Sequence, residues 1–168
     1  PLTSQNTISS MLKSLDEYDL CVLGFEESGE NKYGRLVVDE NKNLKKIVEF
    51  KDANEEEKQI TLCNSGVMAI RGDKIKELLN SIDNKNAAGE YYLTDVVEIC
   101  EKKNYKKTYF VTNKQEVLGV NSKTELANLE KITQDSLRKK HMDNGVTLID
   151  PSSTCLLYTS PSPRDGLL

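Results

Sequence analysis

Leu62-Cys63-Asn64-Ser65-Gly66-Val67-Met68-Ala69-Ile70 is an apolar stretch of strand length, broken near its start by Asn64-Ser65-Gly66. What surrounds it decides the fold class. Downstream, Ile75, Leu78, Leu79 and Ile82 recur at helical spacing, and Leu93, Val96, Val97 and Cys100 mark a second helix. Residues 107–111 and 117–120 then read as strands. Ser122-Lys123-Thr124-Glu125 is a capping box that opens a long helix through Leu126, Leu129, Ile132 and Leu137, stopped near Gly145. Upstream, residues 35–38 and 46–50 read as the two strands of a hairpin around the turn-rich 39–43. Residues 20–25 form a compact apolar strand, and Ile8, Met11, Leu12 and Leu15 mark an opening helix. Residues 52–58 are acidic and suit one or two helical turns. Strands and helices alternate around an inserted hairpin, which is the signature of an α/β layered fold.

Composition narrows the function classes. The 168 residues are 37% hydrophobic and 30% charged, enough apolar content for a core, with a formal charge of −4. That acidic balance argues against a nucleic-acid binder, whose affinity would rest on clustered Lys and Arg. The basic clusters at 102–107 and 138–140 are short and flanked by acids, so they read as solvated faces. No apolar run is long enough to cross a bilayer, and no secretory leader pattern is present, so membrane insertion is not expected. Cys21, Cys63, Cys100 and Cys155 are far apart, without a CxxC pair or a zinc-ligand spacing, which points to a reducing, cytoplasmic setting. The single histidine, His141, falls near the end of a helix, where it complements the dipole. Nucleophilic catalysis has no candidate pair, so no catalytic residue is assigned within the chain. The four prolines are Pro1, Pro151, Pro161 and Pro163. The run from Cys155 carries no helical or strand period, and it back-translates to a transposon-end sequencing adapter read in frame. Residues 155–168 are therefore expected to be a non-native tail.

Four residues break the apolar pattern in ways that suit a ligand. Gly34 opens a strand with bare backbone. Glu49 lies inside the apolar run Ile47-Val48-Glu49-Phe50. Asn64 interrupts a strand, and Asn121 stands at the end of a strand before a helix, where open α/β sheets form their ligand crevice. Three of them also have an ordinary explanation: Glu49 a solvent-facing residue, Asn64 a bulge, Asn121 a cap. Neither a Walker A pattern nor GxGxxG is present.

The order of local words adds to this. Pro1-Leu2, Lys32-Tyr33-Gly34-Arg35, Ile47-Val48-Glu49-Phe50-Lys51-Asp52-Ala53 and Asn64-Ser65-Gly66 come first. Gly89-Glu90-Tyr91-Tyr92-Leu93-Thr94-Asp95, Gly119-Val120-Asn121 and Gly145-Val146-Thr147-Leu148-Ile149-Asp150-Pro151 follow. This series resembles the bacterial bifunctional N-acetylglucosamine-1-phosphate uridylyltransferase/glucosamine-1-phosphate N-acetyltransferase family, from Pro1 to about Thr154. The resemblance implies a Rossmann-like nucleotidyltransferase sheet with helices on both faces, incomplete and carrying the inserted β-hairpin. Residues 1–146 would be the C-terminal half of the nucleotidyltransferase domain, and 147–154 the start of a truncated left-handed β-helix acetyltransferase domain.

The implied reaction joins UTP and N-acetylglucosamine 1-phosphate to give UDP-N-acetylglucosamine and pyrophosphate, for peptidoglycan and lipopolysaccharide precursors. The attacking phosphate oxygen is already anionic at neutral pH, so alignment and charge neutralisation replace a general base. By resemblance, Gly34 offers its backbone to the sugar nucleotide, Glu49 accepts from sugar hydroxyls, and Asn64 contacts the N-acetylglucosamine moiety. Tyr92 and Thr94 form pocket wall. Asn121 contacts the nucleotide sugar and binds Mg2+ through its side-chain oxygen. The family's glycine-rich nucleotide loop and a second metal ligand, an Asp expected two residues before Pro1, are not in this sequence. The chain is accordingly expected to lack uridylyl transfer by itself and to be marginally stable, with a homotrimer expected for the full-length protein. Two other readings stay open: a glucose-1-phosphate uridylyl- or thymidylyltransferase, and a non-catalytic sugar-nucleotide-binding module.

Overall fold

The computed structural model describes residues 2–86 and 89–156, so the expectation for most of the 155–168 tail lies outside the described residues. Contacts divide the chain into two units, Pro1–Val117 and Leu118–Leu168.

The first unit is built on a five-stranded mixed sheet in the order β3-β2-β4-β1-β5. Its strands are β1 (Leu20–Glu26), β2 (Arg35–Val38), β3 (Leu44–Val48), β4 (Leu62–Ile70) and β5 (Lys107–Thr112). β1 runs parallel to β5 and antiparallel to β4, so it is covered on both edges. It is covered on both faces too, which is why it reads as a continuous apolar run rather than an alternating one. Leu20 and Val22 face Leu78 of α3 (Gly72–Asn80) and Val96, Val97 and Cys100 of α4 (Val96–Lys102). Cys21 and Leu23 face Met11 of α1 (Gln5–Ser14). Helices thus lie on both faces of the sheet, as expected. Burial makes the three core cysteines small hydrophobes, and it raises the Cys100 thiol to about 11.

Two expected strands differ from the structure. Residues 117–120 do not form one. The Asn113 side chain accepts from the Gln115 N–H at 2.9 Å and its carbonyl accepts from the Glu116 N–H at 3.0 Å, which starts a 3-10 turn over Lys114–Val117. Val117 then packs on the Met11 cluster instead of joining the sheet. The second hairpin strand spans Leu44–Val48 rather than 46–50, because the turn before it is shorter than its composition suggests.

Asp39 sets that turn. Its Oδ1 accepts from the N–H groups of Asn41 (3.0 Å) and Asn43 (2.8 Å), Lys45 Nζ lies 3.3 Å from Oδ2, and Lys42 takes a left-handed φ of 61°. The hydrogen bonds from Asn43 are the chief reason its carboxyl is held down to about 2. A folded-state value below the ordinary one means that the carboxylate's contribution is complete above the ordinary range near 3.8 and is lost as pH falls through about 2. A carbon-detected NMR titration is expected to place the Asp39 midpoint near 2, with the hairpin amides losing exchange protection over the same interval. A midpoint at the ordinary carboxylate value would show that the turn does not depend on the charge.

β2 meets β4 through one residue pair, Arg35 with Cys63, and the outer edge of β4 beyond that pair has no strand partner among the described residues. The hairpin is instead seated by side chains: Leu36, Leu44 and Ile47 join Leu62 in the main core.

The second unit begins with the expected capping box. Ser122 Oγ accepts from the Glu125 N–H at 3.2 Å, while Glu125 Oε2 accepts from the Ser122 N–H at 3.0 Å. The helix α5 (Lys123–Asp143) follows, with His141 in its last turn, and the chain leaves it through Gly145 at φ 87°. Arg138 donates to the carbonyls of Thr154 (2.8 Å) and Ser152 (3.1 Å), tying residues 152–154 back to the helix.

Candidate functional site

The break in β4 is a bulge with a function in the geometry. Val22 pairs with Met68 and Gly24 with Asn64, so one residue of β1 faces three of β4. Gly66 supplies the left-handed φ of 81° that the detour needs, and Ser65 Oγ donates to the Leu23 carbonyl at 2.7 Å. Asn64 is the ladder residue on which the bulge closes. Its backbone N–H donates to the Gly34 carbonyl at 2.8 Å, and its Oδ1 accepts from the Gly66 N–H at 3.1 Å. Its side-chain amide nitrogen has no acceptor among the described residues, which leaves a donor for a ligand.

Gly34 is buried at the entry to β2, and Glu49 follows directly on β3. The hairpin register brings them together: a Cβ on Gly34 would lie 3.3 Å from Glu49 Oε2 and 3.4 Å from the Val48 carbonyl oxygen. A side chain at position 34 would therefore crowd the carboxylate. On its other side, Glu49 Oε1 accepts from Thr94 Oγ1 at 3.1 Å. Thr94 is buried in the short 3-10 turn Leu93–Asp95 that leads into α4. One carboxylate oxygen is thus oriented by the protein, and the other faces the bare backbone of Gly34.

A cavity of about 300 Å³ opens beside this pair, lined by Glu49, Asp52, Tyr92, Thr94, Asp95 and Glu98 among others. Its wall is acidic, and the charges act on one another. Burial first, and then repulsion from Glu98 and the other carboxylates, raises the Asp95 carboxyl above its ordinary value. Desolvation, followed by Asp52 and its acidic neighbours, likewise raises the Tyr92 phenol. A concave surface rich in carboxylate acceptors, with one amide donor nearby, suits a polyhydroxylated ligand better than an anion or an apolar one.

Gly34, Glu49 and Asn64 are brought together in the first unit, with Tyr92 and Thr94 as wall. Asn121 belongs to the second unit. It is exposed and sits immediately before the N-cap of α5 rather than at a strand end, because residues 117–120 are not a strand. Its backbone N–H donates to Glu125 Oε2 at 2.6 Å, and its side chain has no hydrogen-bond partner among the described residues. Among the described residues no group of three or more His, Cys, Asp or Glu is placed to hold a metal ion, and no helix is long and apolar enough to cross a membrane.

Sequence reasoning did not single out Asp52, Asp95 and Glu98 as pocket residues, nor Arg35, which is 1% exposed. Asp52 and Asp95 stood inside the quoted motifs. Their convergence with Glu49 depends on packing α4 against β3, which no local pattern reports.

No family model matches the chain. Curated relatives do. A bifunctional protein GlmU of Roseobacter denitrificans is 41% identical over 168 residues, covering 100% of this chain and 37% of that protein. One from Caldanaerobacter subterraneus subsp. tengcongensis is 43% identical over 166 residues, covering 95% of this chain and 36% of that protein. The chain therefore spans a little over a third of the length of the curated relatives it matches. Among solved structures, a nucleoside-diphosphate-sugar pyrophosphorylase from Vibrio cholerae aligns with a TM-score of 0.54 at 14% identity, over 68% of this chain and 47% of that one. A chain from Bacillus anthracis assigned as a glucose-1-phosphate thymidylyltransferase aligns with a TM-score of 0.51 at 13% identity, over 89% of this chain and 53% of that one. At those identities the likeness speaks for the fold, a sugar nucleotidyltransferase sheet. Along nearly all of its residues the chain is thus similar, at about 40% identity, to a stretch of the bifunctional GlmU proteins that makes up a little over a third of their length.

Proposed function

We propose that this chain supplies the sugar-binding part of a site that joins UTP and N-acetylglucosamine 1-phosphate to give UDP-N-acetylglucosamine and pyrophosphate. The observation that carries the reading is the Glu49 carboxylate, held by Thr94 on one oxygen and presented beside the bare backbone of Gly34 on the other. That arrangement accepts hydrogen bonds from neighbouring sugar hydroxyls, while the Asn64 amide donates to a carbonyl such as that of an N-acetyl group. The chemistry asks for no general base, since a phosphate monoester oxygen is anionic at neutral pH. What the residues do is hold the sugar phosphate in line and keep water out.

Asn121 fits a magnesium ion as one hard oxygen ligand: it is exposed, and its side-chain oxygen has no protein partner among the described residues. Magnesium commonly takes only one or two protein ligands and completes its shell with water and substrate phosphates. When bound, the ion would neutralise charge on those phosphates. Asn121 is also assigned a contact to the nucleotide sugar. The same reading gives the longer protein an acetyltransferase half, a homotrimeric assembly and a cytoplasmic location. It also has the open edge of β4 continued by further strands of that longer protein.

The test is calorimetric titration of the chain with UDP-N-acetylglucosamine and, separately, UDP-glucose. Binding of the N-acetylated sugar with clear preference is expected, and Asn64→Ala is expected to weaken it about tenfold, the value of one lost hydrogen bond in a desolvated pocket. Preference for UDP-glucose would turn the substrate reading to a glucose-1-phosphate nucleotidyltransferase. Equal affinity of the Asn64→Ala chain would remove that residue from the pocket.

A further inference from the structure

Arg35 is the largest fully buried side chain of the described residues, 1% exposed, and it makes no ion pair with any carboxylate among them. A buried cation without a counter-charge is costly unless hydrogen bonds satisfy it. What surrounds the guanidinium indicates its use. Nη1 donates to the Tyr33 carbonyl, and Nη2 donates to the carbonyls of Asn31 and Lys58, each at 3.4 Å. The Phe50 ring lies 5.9 Å away, on the side of its negative π face. Lys58 is the last residue of α2 (Glu55–Lys58), where helix carbonyls lack intrahelical partners. The planar fork of an arginine reaches these three acceptors from two fixed nitrogens, whereas an ammonium presents all its donors from a single flexible point.

Asn31, Phe50 and Lys58 line, with Arg35, a cavity of about 620 Å³ that shares no lining residue with the acidic one, and the Tyr33 contact leads from there to the candidate site. The Tyr33 carbonyl begins the peptide that enters Gly34, and the Gly34 carbonyl accepts from the Asn64 N–H at 2.8 Å. On the strand side, the Arg35 backbone is in register with Val48 and Cys63, the residues just before Glu49 and Asn64. We propose that Arg35 is a positioning residue for the sugar-nucleotide pocket. Its guanidinium pins the Tyr33–Gly34 peptide and the end of α2, so that Gly34, Glu49 and Asn64 keep their spacing without Arg35 touching the ligand. The identity of the ligand rests on the proposed function, whereas the pinning does not.

Arg35→Lys and Arg35→Met separate this role from plain core packing. In both variants the Asn64 amide is expected to exchange about tenfold faster, from loss of the fixed carbonyl it bonds. The affinity for UDP-N-acetylglucosamine is expected to fall about tenfold. The β1 amides of Val22 and Leu23 should keep their protection, while the melting temperature of Arg35→Met should fall, because the Tyr33, Asn31 and Lys58 carbonyls lose their donor. A folded variant with the original Asn64 exchange and the original affinity overturns the proposal. Should neither variant fold, guanidinium NMR of the unsubstituted chain decides. Separate, slowly exchanging Arg35 Nη signals are expected, and averaged signals like those of a solvent-exposed arginine overturn it. If the unsubstituted chain binds no UDP-N-acetylglucosamine, the ligand assignment is what fails, and Asn64 exchange alone decides the role of Arg35.

Discussion

Glu49→Ala is expected to weaken UDP-N-acetylglucosamine binding by about 100-fold. The wild-type carboxylate has one oxygen held by Thr94 at 3.1 Å and the other facing Gly34. A pre-oriented carboxylate accepting from two sugar hydroxyls makes charge-assisted bonds of about 1.5–2 kcal/mol each, and about 3 kcal/mol in total corresponds to that factor. Glu49→Gln keeps the size and one acceptor, so a loss of about tenfold is expected. Neither change should do much to stability, since Glu49 is only half-buried and lies just past the end of β3. Calorimetric titration beside a thermal melt checks both parts. Unchanged affinity in a folded Glu49→Ala chain would remove the carboxylate from the site and, with it, the observation on which the functional reading stands.

The ease with which different parts of this molecule can be read from its sequence follows from how local their causes are. The bounds of β4 and the capping box of α5 are legible because an apolar run and a Ser-x-x-Glu word carry their own physics. The stretch 117–120 misleads because two valines and a leucine fit a strand by composition. Whether they pair is decided upstream, by the Asn113 turn that sends Val117 into the Met11 cluster. At the site, Gly34, Glu49 and Asn64 stand out as breaks in strands. The Thr94 bond to Glu49 joins residues 45 apart, and no window of sequence contains both. Arg35 is the least legible. A strand that begins Gly-Arg suggests an exposed charge, and only the meeting of the Asn31–Tyr33 loop with the end of α2 makes a buried guanidinium affordable.

Leu36→Ala tests whether the hairpin that carries half of the site is part of the cooperative core. Leu36 has no exposed surface, and its Cδ2 would lie 3.2 Å from a Cβ at Gly24, so it fills the space that the glycine leaves open on β1. Only one residue pair links β2 to β4 in the ladder. Side-chain burial by Leu36, Leu44 and Ile47 must then seat the hairpin, and removing three methylene-sized groups from its centre leaves a cavity. A loss of about 2–5 kcal/mol is expected, a large part of the roughly 5–15 kcal/mol that holds a typical domain. Urea denaturation should show a lower midpoint with an unchanged slope. Leu12→Ala, at a position 57% exposed, should change stability by no more than about 0.5 kcal/mol. If Leu36→Ala unfolds the hairpin alone, an early loss of the Asn64 amide protection will precede the main transition. Gly34 and Glu49 would then be held by a locally stable element docked on the sheet. A single transition, with β1 and hairpin amides lost together, is the result expected of a core that the hairpin completes. It would mean that the pocket's geometry is secured by the same burial that stabilises the fold.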